Sequence, residues 1–102
     1  MIAAFSITPM GTGVSVGDAV AEAVRLVRES GLPNETNAMF TNVEGEWDEV
    51  MSLIKACVAK VGEDAPRVSV VIKIDDRPGV DAGMSSKVAH IERRLADDRP
   101  DD

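Results

Sequence analysis

The stretch Val43-Glu44-Gly45-Glu46-Trp47-Asp48-Glu49-Val50 decides the reading of this chain, because it joins a strand end, a turn and a helix start. Val43 and Glu44 close an extended run. Gly45 supplies a turn where a side chain would be awkward. Glu46, Asp48 and Glu49 gather negative charge in a first helical turn, where the dipole favours it. Trp47 opens an apolar stripe that runs on through Val50, Met51, Ile54, Val58 and Val61 at helical spacing, and Gly62 ends it.

Downstream of this junction, Asp64-Ala65-Pro66 reads as a connector and Arg67 to Asp75 as the clearest strand, rich in β-branched residues. Val68, Val70, Ile72 and Ile74 share one face of it; Ser69, Val71, Lys73 and Asp75 share the other. Arg77-Pro78-Gly79 breaks the run, and Met84, Val88, Ile91 and Leu95 predict a short C-terminal helix. Upstream, Glu35 to Thr41 reads as a weaker strand, with Thr36, Ala38 and Phe40 alternating with Asn37, Met39 and Thr41. A turn near Thr41-Asn42 would lead into the strand that ends at Glu44. Ile2 to Thr8 is a first strand, with Ala3, Phe5 and Ile7 on one side and Ser6 and Thr8 on the other. A loop over Pro9-Met10-Gly11-Thr12-Gly13 follows. Ser15, with Asp18 three residues on, resembles a capping box. The helix it opens carries Val16, Val20, Ala23, Val24 and Val27 on one face, and Gly31 and Pro33 stop it.

The order β-α-β-β-α-β plus a last helix predicts an α+β, ferredoxin-like sandwich: a four-stranded antiparallel sheet with two helices on one face. Residues 1–96 form the single domain, and 97–102 a disordered acidic tail. The sheet face away from the helices is expected to carry Ser6, Thr8, Asn37, Met39, Thr41, Val71 and Lys73. Such a face must meet solvent, another subunit or a ligand.

With 102 residues the chain suffices for one domain, and a domain this small often gains by oligomerising. Aromatics are only 3%, so the core must be aliphatic. A net charge of −7 argues against nonspecific nucleic-acid binding, which needs clustered Lys and Arg. Cys57 is the only cysteine, so no internal disulfide forms. Met1 leads straight into a strand-like run without a basic leader, and no apolar stretch approaches the roughly 20 residues that span a bilayer. A cytoplasmic protein that engages neither membrane nor nucleic acid is the expectation.

Enzyme signatures are weak. His90 is the single histidine and sits in the last helix. Cys57 lies beside the Ile54 and Val58 stripe with no histidine near it in sequence, and reads as a small half-buried residue. No zinc-type spacing is present. Asp75 and Asp76 are adjacent on a strand and point to opposite faces, which disfavours a shared metal. No catalytic residue, metal or cofactor is expected. Gly11-Thr12-Gly13 before a helix start has the geometry to cradle an anion, but it lacks a P-loop lysine, and a flexible loop with a capped helix explains it equally well. Lys73 stands mid-strand, solvated or paired with Glu44. Glu44 itself lies beside a bulky aromatic at the sheet rim, a place to hold a small cation. Asn37 carries both donor and acceptor, as an aminopyrimidine edge requires.

Three segments together resemble the small thiamine-binding, YkoF-like proteins: 5–13 with Ser15, the Val43-to-Val50 run, and 66–77 with its Lys-Ile-Asp-Asp-Arg run. The late Lys87-Val88 helix fits as well, so the likeness spans nearly everything but the tail. It implies a ferredoxin-like fold, homodimers or homotetramers built through sheet contacts, and binding of thiamine or its hydroxymethylpyrimidine part without catalysis. The chain departs from the family pattern at Asn37-Ala38-Met39-Phe40-Thr41, where a Thr and a Gly are common at the positions of Asn37 and Phe40. A phenylalanine there would narrow or reshape a pocket.

The ligand-binding residues expected on this basis are Ser6, Thr8, Gly11, Thr12, Asn37, Met39, Thr41, Glu44 and Lys73. Glu44 would neutralise the thiazolium or accept from the amino group. Ser6, Thr8, Thr12 and Asn37 would orient the ligand, and Met39 and the Trp47 region would give apolar contact. The competing reading is a structural or regulatory interaction module whose open sheet face only mediates oligomerisation. An enzyme acting on a related metabolite is a third reading, disfavoured by the missing constellation of His, Cys or paired carboxylates.

Overall fold

Alternation in the first nine strand residues sets the frame. A computed structural model describes residues 1–11, 16–77 and 83–97. In it, β1 (Ile2–Met10) buries Ala3, Phe5 and Ile7 on one face. The strand therefore runs through Pro9 and Met10, which the sequence reading set in a loop, and ends at Gly11 with φ +73°. Helix α1 (Val16–Glu29) follows; its expected cap Ser15 lies outside the described residues, as do Thr12 and Gly13. Gly31, at φ +79°, ends the helical run as expected.

Four strands form one antiparallel sheet in the order β2-β3-β1-β4, the order of the ferredoxin-like fold. β2 is Asn34–Thr36, β3 is Thr41–Glu44 and β4 is Arg67–Asp75. Helix α2 (Trp47–Val61) links β3 to β4 through a 3₁₀ turn at Gly62–Asp64. The core lies between the sheet and the two helices. It joins Ala3, Phe5, Ile7 and Val43 of the sheet to Ala23 and Val27 of α1 and Val50, Ile54, Cys57 and Val61 of α2.

Several details depart from the periodicity. The turn between β2 and β3 falls at residues 37–40, not near Thr41-Asn42. Asn37 makes it: its Oδ1 accepts the N–H groups of Met39 and Phe40, each at 2.9 Å, and its own N–H donates to the Phe40 carbonyl at 3.0 Å. An asparagine side chain that mimics backbone in this way outweighs an alternating pattern. Trp47 is half exposed instead of beginning the core stripe. Leu32 and Val50 already fill the space at the start of α2, and they close over Gly45: a Cβ there would meet them at 3.2 and 3.3 Å. Close packing thus favours the glycine at this position. Cys57 is fully buried, not half-buried. Val16 and Val20 of α1 stay exposed while Ala23 and Val27 take the core.

The last helix is not short. α3 (Gly83–Asp97) equals α2 in length, and Val88, Ile91 and Leu95 lie exposed along it. Asp97, assigned to the tail from sequence, closes this helix; the remaining tail residues, 98–102, lie outside the described residues, as do Pro78 and Gly79. Among the described residues, no helix is long and apolar enough to cross a membrane.

Candidate functional site

Because β3 is only four residues long, it pairs with β1 solely from Ile2 to Phe5. The rest of β1, from Ser6 onward, keeps β4 on one side and, among the described residues, has no strand on the other. The 37–40 turn swings past this free edge and α1 rises beside it. Between them lies a cleft of about 310 Å³. Ser6 and Thr8 line it from β1, Thr36 and Thr41 from the two ends of the β-hairpin, and Asn37, Met39 and Phe40 from its turn. Phe5, Ile7, Val16, Val20 and Val24 supply apolar wall. A concave, mostly apolar space with a few convergent hydroxyl and amide groups is the usual form of a small-molecule site.

The cleft brings together five of the residues expected from sequence: Ser6, Thr8, Asn37, Met39 and Thr41. It lies on a different side from the one expected. Thr41 pairs with Phe5, so its side chain shares the helix-side face and is 9% exposed instead of standing on the open face. Thr36, opposite Thr41, follows the same face. Met39 projects from the turn at 73% exposure, in place to cover a ligand at the mouth. The carbonyl oxygen of the Asn37 side chain is spent on the turn, which leaves its NH₂ group as the donor available to a ligand.

Gly11, Glu44 and Lys73 do not line the cleft, and neither does Trp47. Thr12 lies outside the described residues. Glu44 pairs with Ile2 at the far end of β1, is 7% exposed, and accepts the N–H of Met84 at 3.2 Å. It therefore caps the first turn of α3 instead of pairing with Lys73. Lys73 stands opposite Ala4 on the open face. The sequence reading missed Thr36, Val16, Val20 and Val24 as lining groups, whereas Phe40, expected to narrow or reshape a pocket, is among the lining residues. The exposed valines carried a signal: α1 has more apolar positions than its core-facing stripe needs.

A second hollow of about 290 Å³ sits at the other side of α1. Its rim holds Asp18, Glu22, Glu63 and Asp64, with Lys60 bound to Glu63 at 3.3 Å. It collects none of the residues expected at a ligand site. Among the described residues, no group of His, Cys, Asp and Glu is placed to hold a metal ion. His90 is exposed. Burial pushes the Cys57 thiol from an ordinary 9.0 up to about 11, so it is a poor nucleophile.

Comparison with known proteins bears on the family and the fold. The family model described as thiamine-binding protein matches residues 3–92. A UPF0045 protein of Mycobacterium bovis is 55% identical over 96 residues, covering 93% of this chain and 94% of its own length. A UPF0045 protein of Methanocaldococcus jannaschii is 37% identical over 95 residues, covering 93% and 88%. A crystal structure titled as a hypothetical protein of that archaeon superposes with a TM-score of 0.80 at 35% identity, over 89% of this chain and 94% of the other. A Thermotoga maritima structure titled as a putative thiamine biosynthesis/salvage protein has a TM-score of 0.74 at 19% identity, over 87% and 96%, and shows the same fold.

Proposed function

This chain belongs to the thiamine-binding protein family, and from that premise we propose that it binds thiamine or its hydroxymethylpyrimidine moiety without catalysis, as a cytoplasmic homo-oligomer. The observation that carries this reading is the cleft at the free edge of β1. Its volume suits a small heterocycle, and Ser6 and Thr8 from the edge of β1 and Asn37 and Thr41 from the hairpin line it together with apolar walls. The Asn37 NH₂ group would donate to a ring nitrogen of an aminopyrimidine. The Ser6, Thr8, Thr36 and Thr41 hydroxyls would serve its amino and hydroxymethyl groups, and Phe40 would pack against the ring. A lone, unpaired cysteine is compatible with a reducing compartment.

The role of Asn37 makes the test specific. Asn37→Asp keeps the side-chain oxygen that holds the turn and loses the donor that faces the ligand. Isothermal titration should show saturable binding of hydroxymethylpyrimidine and thiamine to the native chain. The Asp variant should bind about tenfold or more weakly, as expected for one lost hydrogen bond and an unpaired group left behind. Its melting temperature should stay near the native value. Absence of heat with both ligands removes the binding reading; unchanged affinity in the variant removes Asn37 from the site.

A further inference from the structure

We infer that the cleft is selective against phosphorylated ligands and takes the unphosphorylated aminopyrimidine alcohol end, a conclusion that rests on the binding reading above and sharpens it. The observation is the chemistry of its lining. Every described residue around the cleft is apolar, hydroxylic or an amide, and none is ionisable.

The charges of α1 serve other surfaces. Asp18 and Glu22 belong to the second hollow, and Arg25 and Arg28 line a shallow surface of α1 that meets the cleft wall at Val20 and Val24 without lining the cleft itself. Arg25 is further engaged by Glu22 at 3.3 Å. Glu44, the carboxylate that a thiazolium would seek, is held at the other end of β1 against α3. A phosphate ester entering the cleft would give up water without gaining a cationic partner, which is strongly unfavourable. The net charge of −7 adds repulsion at longer range. A neutral pyrimidine carries no such penalty. A thiazolium is accommodated only where it stays hydrated at the mouth.

The experiment compares three probes on the full chain by isothermal titration: hydroxymethylpyrimidine, thiamine and thiamine diphosphate. The diphosphate should bind at least about tenfold more weakly than thiamine, a gap that narrows with added salt. Val20→Lys places a cation on the cleft wall at a position already 38% exposed, so the fold should tolerate it. This variant should improve the affinity for the diphosphate relative to that for hydroxymethylpyrimidine about tenfold, whatever the lost apolar contact costs both ligands. Equal or tighter binding of the diphosphate by the native chain overturns the inference and gives control of the site to the helix N-terminus. A Val20→Lys variant with no such relative gain for the diphosphate also overturns it. If none of the three probes binds, it is the binding reading itself that fails.

Discussion

At the scale of single residues, burial separates groups that the sequence leaves alike. Cys57 has no accessible surface, and its thiol lies 3.5 Å from the Ala23 carbonyl oxygen, with Sγ as donor. In the unfolded chain the thiol ionises near 9.0, whereas in the fold it keeps its proton up to about 11. The protonated thiol therefore favours the folded state fully below about pH 9, and that contribution is lost as pH rises towards 11. The loss amounts to about 2 kcal/mol by linkage. Chemical denaturation of the native chain and of Cys57→Ser at pH 8 and pH 10.5 measures it: the native chain should lose stability that the serine variant does not. Parallel loss in both proteins would assign the pH dependence to other groups. Glu44 shows the opposite limit of residue-level reading. Its type and its place at a strand end suggested a free carboxylate for a cation. What claims it is Met84, forty positions away in sequence, and such long-range partners leave no periodic trace.

At the scale of elements, legibility followed the length of the pattern. β4 was read with its observed bounds, because alternation over nine residues overrides local noise. The end of α1 was legible through Gly31, whose φ of +79° a residue with a side chain rarely adopts. Nothing lies within 4 Å of the place a Cβ would occupy there, so Gly31→Ala isolates the backbone cost. It should destabilise the fold by about 1 kcal/mol, measured by urea denaturation with an unchanged m-value. A neutral or stabilising result would mean that the chain reaches another helix ending at no cost. The β2–β3 hairpin was misplaced because its strands are too short for alternation to outweigh the side-chain bonds of Asn37. That error mattered for the site. The turn at residues 37–40 cuts β2 to three residues and starts β3 at Thr41, and the four-residue β3 pairs with β1 only as far as Phe5, which leaves an edge of β1 with a cleft beside it. Five of the expected ligand residues were thus grouped from sequence, but on a face that the true turn position reverses for Thr41.

At the scale of the whole molecule, several large apolar side chains of the described residues stand exposed, and they fall into two groups. Val88, Ile91 and Leu95 form an exposed stripe on α3, Val71 and Met10 stand on the uncovered sheet face, and Ile72 and Ile74 reach past the helices on edge strand β4. A helix of fifteen residues is marginal in water by itself and gains most from packing its apolar face. A second copy would supply what both surfaces lack, since a sheet with one open face and a helix with an exposed apolar stripe are complementary in kind. The proposed homo-oligomer therefore depends on α3 as well as on the sheet. Light scattering coupled to gel filtration should return a multiple of 10.9 kDa for the native chain at micromolar concentration. Ile91→Asp, at a position 56% exposed, should shift it to the single-chain mass with the circular dichroism of the core unchanged. A native chain that elutes as a monomer refutes the assembly. A variant that stays associated moves the interface off α3 and leaves the sheet to carry it alone.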